Sequence, residues 1–273
     1  MSDAPSGAIC GTVCGSMSAT TDAKHWADRV EAILDVTRAA GASAPPPPGL
    51  PFFGLDHPSG TPLVFLEDLA TRGIFRKYEH VLDLGGGLGA TTRYLVARLG
   101  CTATATGPTF ETAHAGRTLT ARAGLDWKVR HVVATPTKLP FAEAAFTHVW
   151  VLETLAHLGP CDQVLSEARR VLRPGGNLAM QELALRRPDE RYRGRFVTAE
   201  ARQAELERSG FVEIVRRDVG IGAYAHAARH DAAWVQLTRR LGASDVFVEA
   251  RRLVGAGLAA GDLGITQLTA RRP

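Results

Sequence analysis

The sequence predicts an α/β fold on a parallel, doubly wound sheet, and three observations carry that prediction. Val81-Leu82-Asp83-Leu84-Gly85-Gly86-Gly87-Leu88-Gly89 is an apolar strand that stops in a glycine-rich turn and runs on into an apolar helical pattern from Thr91 to Leu99. Beyond it, strand and helix patterns alternate, as parallel strands joined by helical crossovers require. With 273 residues, 45% of them hydrophobic, the chain can bury one sizeable core.

Taken in order, residues 1 to 20 are small and polar and carry too little apolar surface to pack, so disorder is expected there. Thr21-Asp22 can cap a helix whose apolar positions Trp26, Val30, Ile33 and Leu34 share one face, with Gly41 as its stop. That helix should pack on the main body. Pro45 to Pro48, Gly49 and Pro51 form a stiff spacer. Residues 1–49 therefore read as a disordered start, helix and spacer; residues 50–273 read as the main domain, with a helical insertion at about 221–260. The segment from Phe52 to Gly60 reads as an apolar loop, followed by a short helix around Pro62 to Arg72.

Strands are predicted at His80–Leu84, Cys101–Thr106, Val129–Ala134, Thr147–Leu152, Asn177–Leu185, Phe211–Val219 and Leu263–Ala270. Helices are predicted at Leu88–Leu99, Glu111–Ala123, Asp162–Leu172, Ala199–Ser209 behind a Thr198 cap, Ala227–Leu241 and Asp245–Ala256. Arg173-Pro174-Gly175-Gly176 reads as a turn between the Asp162 helix and the next strand. Trp127, Trp150 and Trp234 are assigned to the core or a lid.

Charge and cysteine usage narrow the function classes. Lys and Arg number 32 against 28 Asp and Glu, a net charge of +4. The pairs Arg169-Arg170, Arg186-Arg187, Arg216-Arg217 and Arg239-Arg240 lack interleaved aromatics, which suits solvated faces rather than a nucleic-acid site. The four cysteines are irregularly spaced; Cys10 and Cys14 have no matching second pair, so neither a disulfide framework nor a metal site is expected. His226 and His230 stand four apart, a spacing zinc ligands use, but no third ligand accompanies them. No secretory leader and no run of about 18 apolar residues is present, so a cytoplasmic location without a membrane partner is expected.

With these residues on the page, the chain resembles the class I S-adenosylmethionine-dependent methyltransferases, in their small-molecule branch. The resemblance spans about residues 55 to 271. Val81 to Gly89 looks like the family's Gly-x-Gly-x-Gly motif, and Leu139-Pro140-Phe141 with Ala145-Phe146 looks like the signature before its fourth strand. Glu167-Ala168-Arg169-Arg170-Val171-Leu172-Arg173-Pro174-Gly175-Gly176 is similar to the helix and turn after that strand. The resemblance implies a Rossmann-like seven-stranded sheet whose last strand runs antiparallel between the fifth and sixth. It also implies S-adenosylmethionine as cofactor and methyl transfer to a small-molecule acceptor, with a homodimer or a paralogous subunit as partner.

Asp83, Gly85, Gly86, Gly87, Gly89, Thr106, Thr135 and Leu139 are the candidate cofactor residues. Glu153 and His157, just after the fourth strand, are the candidate catalytic residues, either of them a base or a substrate contact, because the ligand crevice of a doubly wound sheet lies there. His57, in His57-Pro58-Ser59-Gly60, resembles an entry loop of some family members and is a candidate for the substrate mouth. A sulfonium donor is already activated, so alignment supplies much of the acceleration, and a base matters only where the nucleophile must lose a proton.

Three acids habitual in the family are absent: Gly107 ends the second strand, Thr135 follows the third and Thr147 opens the fourth. A hydrogen bond to a charged group contributes about 1.5–3 kcal/mol, so losing the ribose acid alone weakens binding roughly ten- to a hundredfold. Hydroxyls of Thr106, Thr109 or Thr135 can recover part of that. Two further readings stay open. One is a methyltransferase-like protein with a degenerate or repurposed pocket. The other is a nicotinamide-dependent enzyme, since Gly85-x-Gly87-x-x-Ala90 fits the dinucleotide fingerprint, although Gly107 denies it the ribose acid too.

Overall fold

The computed structural model describes residues 23–42, 45–57, 65–72, 79–190, 196–219, 231–242 and 246–273. Seven strands, β1 (His80–Asp83), β2 (Thr102–Gly107), β3 (Val129–Val133), β4 (Phe146–Leu152), β5 (Leu172–Leu185), β6 (Val212–Val219) and β7 (Leu263–Arg271), form one sheet in the order β3-β2-β1-β4-β5-β7-β6. Pairings from β3 to β5 are parallel, whereas β7 runs antiparallel to both neighbours. Chain direction across the sheet switches between β1 and β4, so the crevice opens at their carboxyl ends.

Successive strand residues face opposite sides, and the sheet uses both. On one side Leu82, Leu84, Val149, Val151 and Met180 pack against Val164, Leu165 and Ala168 of helix α5 (Cys161–Val171). On the other, Val81, Trp150, Leu152 and Ala179 meet α2 (Phe65–Arg72) and α3 (Ala90–Leu99). A third cluster joins Trp26 and Ile33 of α1 (Ala23–Gly41), Phe52, Leu55, and Leu119 of α4 (Phe110–Arg122) to Trp234 and Leu237 of α7 (Asp231–Leu241). The N-terminal helix and the insertion thus share one small core over α4. Helices α6 (Ala199–Arg208) and α8 (Val246–Ala259) complete the set. Thr109 and Thr198 cap α4 and α6 by accepting from the N–H groups of Thr112 and Ala201.

The two family signatures prove to be one hydrogen-bonded unit. Leu139 N–H donates to Glu167 Oε2 at 2.7 Å, and Arg170 donates to the carbonyls of Phe141 and Leu139 at 2.9 and 3.1 Å. Arg170 also pairs with Glu167 at 2.7 Å, so it is not part of a solvated face as its sequence context suggests.

Other expectations need correction. The turn Arg173 to Gly176 lies inside β5: Leu172 already pairs with Phe146 and Asn177 with His148, so the Pro-Gly-Gly segment bulges out of the ladder. Helix α3 starts at Ala90 rather than Leu88, because Gly87 and Gly89 hold positive φ and keep the turn open until then. Trp127 is 73% exposed, with Lys128 Nζ 4.6 Å over its ring, since it sits in the turn between α4 and β3, outside both sheet faces. Trp150 and Trp234 are buried as expected. Residues 1–22, with Cys10, Cys14 and the Thr21-Asp22 cap, and the pair His226 and His230, lie outside the described residues.

Candidate functional site

The glycine turn is closed from within. Gly85 N–H donates to Thr106 Oγ1 at 2.9 Å, Gly86 N–H to Asp83 O at 3.3 Å, Gly87 N–H to Thr106 O at 3.1 Å and Gly89 N–H to Gly86 O at 2.8 Å. The turn spends these donors on its own shape. Space differs among the four. A Cβ on Gly86 would lie 2.7 Å from the Asp83 carboxylate, one on Gly85 2.9 Å from Thr154, and one on Gly89 2.6 Å from His131. On Gly87 it would meet nothing nearer than Gly85 O at 3.9 Å. Gly87 is where a ligand can approach the backbone, and it sits in the partly exposed stretch Gly85–Gly87 of an otherwise buried segment.

Asp83 is buried and accepts from the Thr91 and Thr92 hydroxyls at 2.5 and 2.6 Å, tying the start of α3 to the turn. Burial raises its carboxyl above the usual range, while the two hydroxyl donors act in the opposite direction. Thr106, also buried, braces the turn through its hydroxyl and its carbonyl. Gly107 ends β2 without a side chain; Thr135 is exposed past β3, its carbonyl accepting from Lys138 N–H at 2.9 Å. Leu139 is buried in the α5 face of the core. Thr147 Oγ1 bonds His80 N–H and His80 O at 2.9 and 3.0 Å, so it ties β4 to β1.

Behind the turn lies a buried ionic cluster that sequence reasoning missed. Arg93 of α3, with 0% side-chain exposure, donates to Asp56 Oδ2 at 2.5 Å, Leu88 O at 2.7 Å and Thr120 Oγ1 at 2.9 Å. Thr120 bonds His131 Nε2 at 2.8 Å. Burial, seconded by the charges of Arg93 and Arg117, presses the His131 imidazole down to about 3, so it is neutral at pH 7. Asp56 belongs to a run of tight turns from Pro51 that also buries Phe52, Leu55 and His57. The cluster thereby pins this entry segment to the carbonyl of Leu88 in the glycine motif.

Across the crevice, the chain leaves β4 through Glu153, whose φ of +59° is unusual for a side-chain-bearing residue. Thr154 Oγ1 donates to Leu84 O at 3.1 Å, which sets this loop beside the glycine turn. Glu153 Oε1 accepts from Gln181 Nε2 at 2.9 Å, and Gln267 Nε2 donates to Gln181 Oε1 at the same distance. Among the described residues, Glu153 Oε2 is buried with no hydrogen-bond partner. His157 is exposed in the short 3-10 turn Leu155–His157 that follows. Gln181 and Gln267 were missed as well; each is an amide beside a buried apolar residue, Met180 or Leu268, in a strand of the sheet. A separate hollow of about 520 Å³ is lined by α1 and α7 residues such as Arg29 and Arg240, with none from the strand ends.

Among the described residues no group of three or more metal-ligating side chains converges, and no helix is long and apolar enough to cross a membrane.

Comparisons with known proteins fit this geometry. Residues 82–180 match the family described as "Methyltransferase domain". Over 106 residues the chain is 33% identical to methyltransferase GfsG of Streptomyces halstedii, covering 39% of this chain and 38% of that protein. Across the curated relatives the chain spans between 17% and 40% of their length. Among solved structures, a sarcosine dimethylglycine methyltransferase, described as putative, from Galdieria sulphuraria superposes with a TM-score of 0.64 at 18% identity, covering 77% of this chain and 86% of that one. The [4+2]-cyclase SpnF superposes with a TM-score of 0.63 at 23% identity, covering 77% and 81%. Residues 82–180, from β1 through β5, thus carry the pattern of a methyltransferase domain, and the seven-stranded sheet closed by an antiparallel β7 has the fold of these solved structures.

Proposed function

We propose that the protein methylates a small-molecule acceptor, with S-adenosylmethionine as donor. The observation that carries this reading is the juxtaposition at the sheet's switch point: an open glycine position, Gly87, and a carboxylate with a vacant acceptor, Glu153, joined through the Thr154–Leu84 hydrogen bond. Gly87 and the partly exposed turn around it give room for the amino-acid end of the cofactor, and Thr135, exposed past β3, lies toward its nucleoside end. When bound, the cofactor supplies a sulfonium-activated methyl group. The chain's own part is to align the acceptor and to take up its proton at Glu153 Oε2 where the nucleophile carries one. Relatives whose names give small-molecule substrates, such as the tocopherol O-methyltransferase of Oryza sativa subsp. japonica, support the acceptor class.

A second reading, a methyltransferase fold that binds ligand without methylating it, draws on Gly107 and Thr135, which offer no carboxylate to a ribose diol. Calorimetry with S-adenosylmethionine and S-adenosylhomocysteine separates the two. Micromolar binding of both is expected; no heat from either at millimolar concentration would sink the methyl-transfer reading.

A further inference from the structure

The row of amides beside Glu153 has a fixed direction. Gln267 Nε2 donates to two acceptors, Phe65 O and Gln181 Oε1, each at 2.9 Å. A backbone carbonyl only accepts, so the Gln267 amide cannot be flipped without losing that bond. Gln181 must then accept through its oxygen and donate through its nitrogen, and its donation goes to Glu153 Oε1 at 2.9 Å. Gln181 and Gln267 face each other across the β5–β7 ladder, 2% and 1% exposed, so no solvent competes for these bonds. The last member of such a row has to be an acceptor, which suits Glu153 as a carboxylate.

That carboxylate is only half satisfied. Among the described residues its second oxygen, Oε2, is buried without a donor, and Gln267 Oε1 is a second buried acceptor in the same state. A buried acceptor left unmade is costly, so a site with two of them is built to receive donors from outside the protein. Resting on the reading of the strand ends as a substrate crevice, we infer that Gln181 and Gln267 are positioning residues that hold Glu153, and that the ligand group it meets is a hydrogen-bond donor, a hydroxyl or a protonated amine. The methylated atom would then be an oxygen or nitrogen that loses its proton to Glu153 Oε2 as the bond to carbon forms, with the sulfonium's electron pair returning to sulfur. A bare carbon nucleophile or a quaternary cation would leave Oε2 unpaired.

The test uses the full chain and three probes of matched shape: benzyl alcohol, benzylamine and toluene, at up to tens of millimolar. The side-chain amide NMR signals of Gln181 and Gln267 report on the row directly. Benzyl alcohol or benzylamine is expected to shift them and toluene to leave them in place. Glu153→Gln and Gln181→Met should each weaken donor binding at least tenfold, and the double variant should bind no worse than Glu153→Gln alone, because Gln181 acts through Glu153. A purely structural Gln181 would instead give losses that multiply. An equal response to toluene, no response to either donor, or multiplying losses would each overturn the inference. None of these readings needs the cofactor. Gln181-dependent donor binding alongside silent calorimetry would remove the methyl-transfer reading and keep the donor site.

Discussion

The two banks of the crevice are built on opposite terms. On the β1–β2 bank the polar groups of the turn are spent internally: Asp83 on Thr91 and Thr92, Thr106 on the glycine N–H groups, Arg93 on Asp56, Leu88 and Thr120. On the β4–β5–β7 bank the polar row ends in acceptors that nothing among the described residues satisfies, Glu153 Oε2 and Gln267 Oε1. The first bank is a rigid mould whose contribution to a ligand is shape. The second contributes unspent hydrogen-bonding capacity. Stability and binding should therefore respond differently to substitution on the two sides.

The sharpest break in that contrast comes from Arg93→Met. It strands Asp56 as a buried charge and frees the carbonyl of Leu88, so urea denaturation should show a loss of about 3–5 kcal/mol. His131 gives a pH signature for the same bank. Its folded pKa, about 3, lies below its ordinary 6.5, so its contribution is present above pH 6.5 and is lost as pH falls toward 3. Stability should drop by about 1.4 kcal/mol per pH unit across that window from this one group, and His131→Gln should flatten that part of the profile. Thr92→Val removes one of two donors to buried Asp83 and should cost about 1–3 kcal/mol by thermal or chemical denaturation. The opposite bank should behave in reverse. Glu153→Gln removes a half-buried carboxylate whose second oxygen has no partner among the described residues, so it should leave the fold unchanged or stabilise it by about 0.5–2 kcal/mol while impairing turnover. Gly87→Val, at the open position, should abolish S-adenosylmethionine binding in calorimetry, at a stability cost of about 1–3 kcal/mol for a side chain at positive φ. Trp127→Ser, far out in solvent, should move stability by no more than about 0.5 kcal/mol.

How much of this could be read in the chain follows the range of the interactions. Strand–helix alternation, the stop at Gly85 and the cap at Thr198 are local and were legible. The paired signatures around Leu139 and Glu167 were visible as motifs, but their mutual hydrogen bonds only make sense once α5 lies beside the loop before β4. Asp56 and Arg93 are 37 residues apart, and nothing in either neighbourhood names the other. Gln181 and Gln267 are 86 apart and meet only because β7 turns back antiparallel beside β5. The glycine motif does not show how its members differ: a side chain on Gly85, Gly86 or Gly89 would run into Thr154, Asp83 or His131, while one on Gly87 would face open space.

The placement of β7 between β5 and β6 also sets an order of assembly in time. Leu185 pairs with Leu263, and 263 − 185 leaves 78 positions of chain to be made between the two partners. On a ribosome adding about 5–20 residues per second, β5 waits roughly 4–16 seconds with that flank unpaired. The glycine turn and its braces lie wholly upstream of that interval and can set while translation continues. The amide row that steadies Glu153 cannot, since Gln267 arrives with the last strand of the sheet. A nascent chain therefore holds the finished glycine turn well before it has the row that orients Glu153.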